Sequence, residues 1–234
     1  MKVGILANSL KAGGKLYETV NGLAFCDPWL IWCPQKKSIT FRDYLMLLRS
    51  FLFSTNSLAL WRLWISGKII LLKRDLAHPD SINKLKAMEM DVGLHKSGSI
   101  YRENTIDCFK LGILNAHIGI LPKYRGRCVM EWSLLQGDPT GVSVFFLDPG
   151  IDTGGRMIFK REFPVTERGN ISQAKNYLFN LDAGLYKEAL QYLHDKNFAL
   201  LENDGSGKRY YVMSKLFSSV VEETLIRIPE KQVF

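Results

Sequence analysis

Cysteine is scarce in this chain and is never arranged for chemistry. The 234 residues hold four (Cys26, Cys33, Cys108 and Cys128), with no CxxC pair and no zinc-type spacing. That argues against a disulfide framework or a thiolate metal site, and the thiols read as buried groups in a reducing compartment. Histidine is equally sparse. His78, His95, His117 and His194 stand far apart, none in an HExxH-like spacing, so no metal is expected. No Ser or Cys occupies a G-x-S-x-G elbow, which leaves a covalent acyl-enzyme unsupported. The glycine-bearing stretch from Asn8 to Lys15 lacks both G-x-G-x-x-G and G-x-x-x-x-G-K-[ST], so the usual dinucleotide and P-loop signatures are missing. The most apolar run, Leu58 to Leu72, is too short and too charged to cross a bilayer. There is no internal repeat and no low-complexity tract; with Met1-Lys2 leading directly into a strand-like run, no cleavable leader and a cytoplasmic protein are expected.

What is present suits one domain, or one with an appendage: 47% apolar and 23% charged residues over a length that can bury a core. The net charge of +8 is local. Between Lys36 and Arg74 eight Lys or Arg face one acid, Asp43, a net +7, so the rest of the chain is nearly neutral. A confined positive field points to a particular surface rather than to diffuse nucleic-acid affinity.

In chain order, Lys2 to Ala7 reads as a buried strand, followed by a polar turn over Asn8 to Lys15 and a helix around Leu16 to Gly22. That turn, with Ser9 in it, could hold a phosphate at a helix N-terminus, or be an ordinary strand-to-helix connection. Phe41, Tyr44, Leu45, Leu48, Phe51 and Leu52 recur at helical spacing with Arg42 and Arg49 between them, and Trp61 and Trp64 follow beside Arg62 and Lys68. Two readings stay open: an aromatic, basic, amphipathic segment lying on an anionic membrane, or a helix pair packed on the sheet. Ile70 to Leu72 begins a strand; Asp80 or Ser81 caps a helix over Ile82 to Met88; Asp91 to Leu94 is the next strand. A short helix over Asn104 to Phe109 leads on. Strand, helix, strand in this order implies a doubly wound α/β domain with a mostly parallel sheet, whose ligand sites gather beyond the strands' carboxyl ends. Further on, Met157 to Phe163 reads as a strand, Asn170 to Leu193 as one long helix, Asn203 to Lys208 as a turn, Arg209 to Met213 as a hairpin arm and Ser214 to Ile226 as a closing helix. The expected division is a catalytic domain over 1–195 and a small C-terminal extension, hairpin plus helix, over 196–234.

The chemistry concentrates between Gly112 and Gly155. A strand-like run, Leu111 to Leu114, delivers Asn115-Ala116-His117, and period-two alternation points both polar side chains to one side. A second apolar run, Gly141 to Leu147, stops at Asp148-Pro149-Gly150, and Asp152 follows in a Gly-flanked loop. Alone, each of the three polar residues reads as structural: a turn asparagine, a core histidine, a capping aspartate. Together they match acyl transfer. An amide N–H aimed at a developing oxyanion is worth about 2.7–4 kcal/mol. A histidine can carry the proton between attacking and leaving nitrogens, worth roughly 10²–10⁴-fold. A carboxylate can orient the imidazole or a relay water.

At these residues the chain resembles the folate-dependent formyltransferases, which include the glycinamide ribonucleotide, methionyl-tRNA and sugar N-formyltransferases. Asn115-Ala116-His117 and Leu121-Pro122-Lys123-Tyr124-Arg125-Gly126 are similar to the family's Asn-x-His and Leu-Pro-x-Tyr-x-Gly segments, and Gly141-Val142-Ser143-Val144 and Asp148-Pro149-Gly150-Ile151-Asp152-Thr153-Gly154 to its later strand and loop. The likeness is close over about Asp91 to Ile158. It departs at Ile118-Gly119, where the family usually has a Pro-Ser-like pair, and at the polar His95-Lys96-Ser97 stretch. It implies a Rossmann-like formyltransferase fold, N10-formyltetrahydrofolate as co-substrate, no metal, and Asn115, His117 and Asp152 as the catalytic trio. It also implies a folate pocket between the His95–Tyr101 and Asp148–Asp152 loops, with Lys96, Ser97, Gly98, Asp148, Gly150 and Ile151 as contacts.

Among the family's acceptors, a nucleotide-linked amino sugar is expected. Some 75 residues after Ile158 leave little space for an RNA-binding module, and the purine enzyme does not resemble the segment from Ser38 to Leu72. Lys123, Arg125 and Arg127, with Tyr124 and Ser9, would receive a diphosphate-bearing substrate. The expected partners are therefore folate and a nucleotide-linked amino sugar, without nucleic acid. A homodimer and a peripheral contact at the inner face of the membrane are carried alongside, for surface glycan assembly. Glycinamide ribonucleotide or methionyl-tRNA formylation, and a non-catalytic membrane-surface module, are the alternatives.

Overall fold

The structure, a computed structural model, describes residues 1–34, 39–53, 57–150, 152–196, 200–202 and 206–227. Lys36, Lys37, Ile151 and the turn residues Asn203 to Gly205 fall outside the described residues. The chain divides into two compact units: Met1–Leu114 with Tyr186–Lys196, and Asn115–Leu185 with Asn197–Phe234. The expected boundary at 195/196 is not the one contacts draw.

The first unit is built on parallel strands. Strand β1 (Lys2–Ala7) pairs in parallel with β2 (Asp27–Trp32) on one side and β4 (Val92–Lys96) on the other. Beyond them lie β3 (Ile69–Leu71), beside β2, and β5 (Ile113–His117), whose first residues pair with β4. The order is thus β3-β2-β1-β4-β5. Val3, Ile5, Leu6 and Ala7 are fully buried, the continuous apolar run that a parallel strand covered on both faces requires. The WLIW run of β2 carries the same signal, and sequence reading passed over it.

Helix α1 (Leu10–Asn21) starts well before the expected Leu16. Ser9 is its N-cap, accepting from the Ala12 N–H at 3.4 Å. Gly13 and Gly14, read as turn residues, sit inside the helix. A β-carbon on Gly13 would collide with Leu30 and Ala7, so the missing side chain lets α1 close onto the sheet. Helices α2 (Phe41–Phe53) and α3 (Ser57–Ile65) follow, packed on each other and on α1. In α4 (Pro79–Ala87) the cap is His78, whose Nδ1 accepts from the Asp80 N–H at 3.2 Å, in place of the expected Asp80 or Ser81. Pro79 stands at the position where a missing N–H is harmless. Helix α5 (Glu103–Ile106) is a single turn before β5.

In the second unit the strand order is β5-β7-β8-β9, with the later strands antiparallel: β7 (Gly141–Phe146) pairs with β8 (Arg156–Glu162), and β8 with β9 (Leu201–Glu202). Among the described residues the two arms of the expected C-terminal hairpin do not pair with each other. Strand β10 (Arg209–Tyr210) pairs in parallel with β6 (Arg125–Gly126), far away in sequence, while β9 extends the main sheet. Helices α6 (Val129–Leu135), α7 (Ile171–Asn180) and α9 (Lys215–Arg227) pack together here. The expected single helix over 170–193 is two, α7 and α8 (Asp182–Asp195), broken at Leu181. Beside the break the Asn180 amide turns back onto the Asn176 carbonyl, a local bond that competes with helix continuation. No described helix is long and apolar enough to cross a membrane. Parallel strands flanked by helices in the first half make this an α/β fold with a mostly parallel central sheet.

Candidate active site

Strand β5 sets the first two groups. Ile113 and Leu114 are fully buried and anchor it; Asn115 and His117, two residues apart on one side, are each 8% exposed. His117 Nε2 lies 2.9 Å from the Tyr124 carbonyl oxygen. A carbonyl can only accept, so Nε2 carries the hydrogen, and in the neutral ring Nδ1 holds the lone pair. Nδ1 faces Asp152 Oδ1 at 3.6 Å. That is longer than a direct hydrogen bond, and a proton added to Nδ1 would point at the carboxylate. Gly119 backs this contact. A β-carbon there would stand 2.8 Å from His117 Nε2 and 2.9 Å from the Tyr124 oxygen, so the departure from the family pattern at this position matches a steric need.

Asp152 is held from the other side. Its Oδ2 accepts the Gly126 N–H at 3.1 Å, and its own φ is +46°. Gly126 has φ +99°, a conformation few other residues adopt, and a β-carbon on it would overlap the Tyr210 carbonyl oxygen. The cause is β10: Tyr210 pairs with Gly126, and the Arg127 N–H donates to the Tyr210 oxygen at 3.1 Å. The Tyr210 ring stacks on Tyr124 with centroids 5.3 Å apart and lies 5.4 Å from Trp132. The Tyr124 hydroxyl reaches Asp138 and lies 3.1 Å from Gln136 Oε1, while Gln136 Nε2 donates to the Tyr210 hydroxyl at 2.9 Å. Burial first, and then the bond to Asp138, push the Tyr124 hydroxyl up. The Lys123 ammonium, followed by the Tyr124 hydroxyl, holds the Asp138 carboxyl below its usual range. Tyr210, Gln136 and Asp138 escaped the sequence reading because each acts through contacts remote in sequence or through a side chain with no motif around it.

The expected binding residues fare differently from one another. Tyr124 is 1% exposed with ring, hydroxyl and carbonyl all engaged, so its part in the site runs through His117. Lys123 pairs with Asp138, and Arg125 Nη1 donates to the Gly207 carbonyl at 3.3 Å, while Arg127 is exposed. Asp148 shapes its own loop: Oδ1 accepts the Gly150 N–H at 2.8 Å and Oδ2 the Thr153 hydroxyl. Those residues all belong to the second unit with Asn115, His117 and Asp152. Lys96, Ser97, Gly98 and Ser9 belong to the first. At the end of β4, Ser97 bonds the Tyr101 hydroxyl at 3.0 Å, which His95 Nδ1 also meets at 2.9 Å; burial drives that hydroxyl well above its ordinary value. Among the described residues no cluster of three or more His, Cys, Asp or Glu is placed to hold a metal.

Residues 52–190 match the family profile described as formyl transferase. The chain belongs to the formyl transferase family. Among curated relatives of this chain, the methionyl-tRNA formyltransferase of Clostridioides difficile (strain 630) is 33% identical over 118 residues, which is 50% of this chain and 38% of that one. The chain spans about two-fifths of the length of the curated relatives it matches. Among solved structures, a 4-N formyltransferase from Francisella tularensis superposes with TM-score 0.64 at 13% identity, covering 98% of this chain and 89% of that one. The N-formyltransferase of Helicobacter canadensis, in complex with folinic acid and dTDP-3-aminofucose, gives TM-score 0.63 at 15% identity, covering 100% and 83%. At such identities these structures speak for the fold.

Proposed function

We propose that this protein moves a formyl group from N10-formyltetrahydrofolate to the primary amine of a nucleotide-linked amino sugar. The observation that carries the reading is the His117 geometry: Nε2–H tied to a backbone carbonyl, and Nδ1 free to take a proton in front of Asp152. The folate, when bound, supplies the formyl group. The donor set suits it. The Asn115 amide donates to the formyl oxygen as the amine attacks the formyl carbon and charge grows there. His117 Nδ1 takes the proton that the amine gives up and returns it to N10 of the folate as the formyl carbon–N10 bond breaks, and Asp152, 3.6 Å from Nδ1, orients the ring or a relay water. On the second unit, Asp148, Gly150 and Ile151 are the proposed folate contacts, and Arg125 and Arg127 the acceptor contacts.

The acceptor is supported by the likeness of fold to a sugar N-formyltransferase from Shewanella and to the Helicobacter N-formyltransferase in complex with dTDP-3-aminofucose. A cytoplasmic site of action goes with it. A second reading, methionyl-tRNA formylation, is favoured by the sequence relatives at 28–33% identity. Purified protein given formyl-folate and a panel of amines separates the two. Turnover of a nucleotide-linked amino sugar is expected; turnover of methionyl-tRNA or glycinamide ribonucleotide alone would remove the acceptor, and no transfer to any amine would remove the reaction.

A further inference from the structure

Helices α2 and α3 of the first unit carry an apolar face that no described residue covers. In α2 the core takes, among the described side chains, Leu47 and Phe51. Tyr44, Leu45, Leu48 and Leu52, spaced as one helical stripe, are each about half exposed, and Phe41 is 78% exposed. In α3 the core takes Leu60 and Leu63, whereas Leu58 and Ile65 are 76% and 81% exposed. Phe51 ties the two helices, its ring 5.1 Å from Trp61 and 5.6 Å from Trp64, and both indoles keep over 40% of their surface in solvent. An exposed apolar area of this extent on a soluble domain marks a docking surface.

Charge decides the occupant. At ~100° per residue, Arg42 and Arg49 fall side by side along one edge of the α2 stripe. Arg62 borders the α3 stripe in the same way. The one acid between Lys36 and Arg74, Asp43, is turned away into the helix start, where it accepts the N–H and the hydroxyl of Thr40. A second copy docked on this face would set Arg42, Arg49 and Arg62 of one chain against the same three of the other. An anionic lipid surface supplies the missing negative charge, admits the aliphatic stripe below the headgroups and seats indoles and guanidinium groups at their level. Helices of 13 and 9 residues are ~20 and ~14 Å long, short of a ~30 Å hydrocarbon core, so the pair would lie in the surface and not across it.

We propose that the α2–α3 face docks this protein on anionic phospholipid bilayers. The proposal goes beyond formyl transfer and does not depend on it. The test is flotation of the full chain with phosphatidylglycerol-containing and with pure phosphatidylcholine vesicles at low and high salt, with tryptophan emission recorded and sedimentation equilibrium run in parallel. Binding to the anionic vesicles is expected, with a blue shift of Trp61 and Trp64 and loss on adding salt. Each of Arg42→Glu, Arg49→Glu and Arg62→Glu should weaken it about fivefold or more, and Leu45→Glu with Leu48→Glu should abolish it. These variants keep wild-type melting and solution turnover, because all five positions are exposed and none lies in the proposed site. Absence of vesicle binding at low salt, equal binding to phosphatidylcholine, or self-association abolished by Leu48→Glu without lipid binding would each overturn the proposal.

Discussion

The Nε2–H of His117 donates to the carbonyl oxygen of Tyr124 at 2.9 Å, which leaves Nδ1 facing Asp152. One backbone contact therefore chooses the tautomer, and a second, from the Gly126 N–H to Asp152, fixes the carboxylate that meets it. Tyr124 and Gly126 lie two residues apart and are both braced by Tyr210. The chemical pair is set less by its own side chains than by a short loop clamped from the C-terminal segment.

His117→Asn is expected to lower kcat for formyl transfer by roughly 10²–10⁴-fold. Asn115→Ala should lower it by roughly 10²–10³-fold, the value of one oxyanion donor. Melting curves separate a chemical loss from a folding one; full turnover in the His117 variant would remove the proton-carrying role.

Gly126→Ala combines a positive φ with a clash against the Tyr210 oxygen, so both Tm and kcat should fall together. Asp152→Asn keeps an acceptor for the Gly126 N–H yet loses the charge opposite Nδ1. Here kcat should drop while Tm stays close to wild type. Thermal melting beside steady-state kinetics distinguishes the two patterns.

Tyr210→Phe removes one hydrogen bond from Gln136 and should destabilise by about 0.5–1.5 kcal/mol with little change in turnover. Tyr210→Ala removes a buried ring worth about 3–5 kcal/mol in comparable cores, and with it the brace on Tyr124. Denaturant unfolding gives the first quantity and the ratio of kcat values the second. Unchanged kcat in Tyr210→Ala would mean the brace is dispensable.

Acid stability should reflect Asp91. The Lys110 ammonium beside it, with the Lys2 N–H at 2.7 Å, holds its carboxyl below the usual range. A depressed folded value stabilises the fold at pH above the ordinary carboxylate value, near 3.9, and that stability disappears as pH falls through the folded value. Asp91→Asn should lower Tm near neutrality and flatten its decline below about pH 4. A Tm–pH curve parallel to wild type would show that this pair contributes nothing.

Local signals carried far in this chain. The strand over Lys2–Ala7 and the placement of Asn115 and His117 on one side of a strand follow from periodicity over a few residues. So does the helical character of Phe41–Phe53. Where local cues pointed two ways the outcome went to packing: Gly13 and Gly14 read as a turn but serve a close helix–strand contact, and a periodic run over 170–193 hides a break at Leu181. Periodicity likewise announces a stripe on α2 without saying that Leu47 and Phe51 reach the core while Leu45 and Leu48 do not.

By itself, then, the sequence determined that Asn115 and His117 share one side of a strand and that Asp152 follows in a Gly-flanked loop, because residue types and short spacings are properties of neighbouring positions. Tertiary structure alone decided which histidine nitrogen holds the hydrogen and what keeps Asp152 in front of it. Those outcomes depend on Tyr124, Gly126 and Tyr210 meeting across as many as 85 intervening positions, and the pairing of β10 with β6 leaves no local mark in the chain.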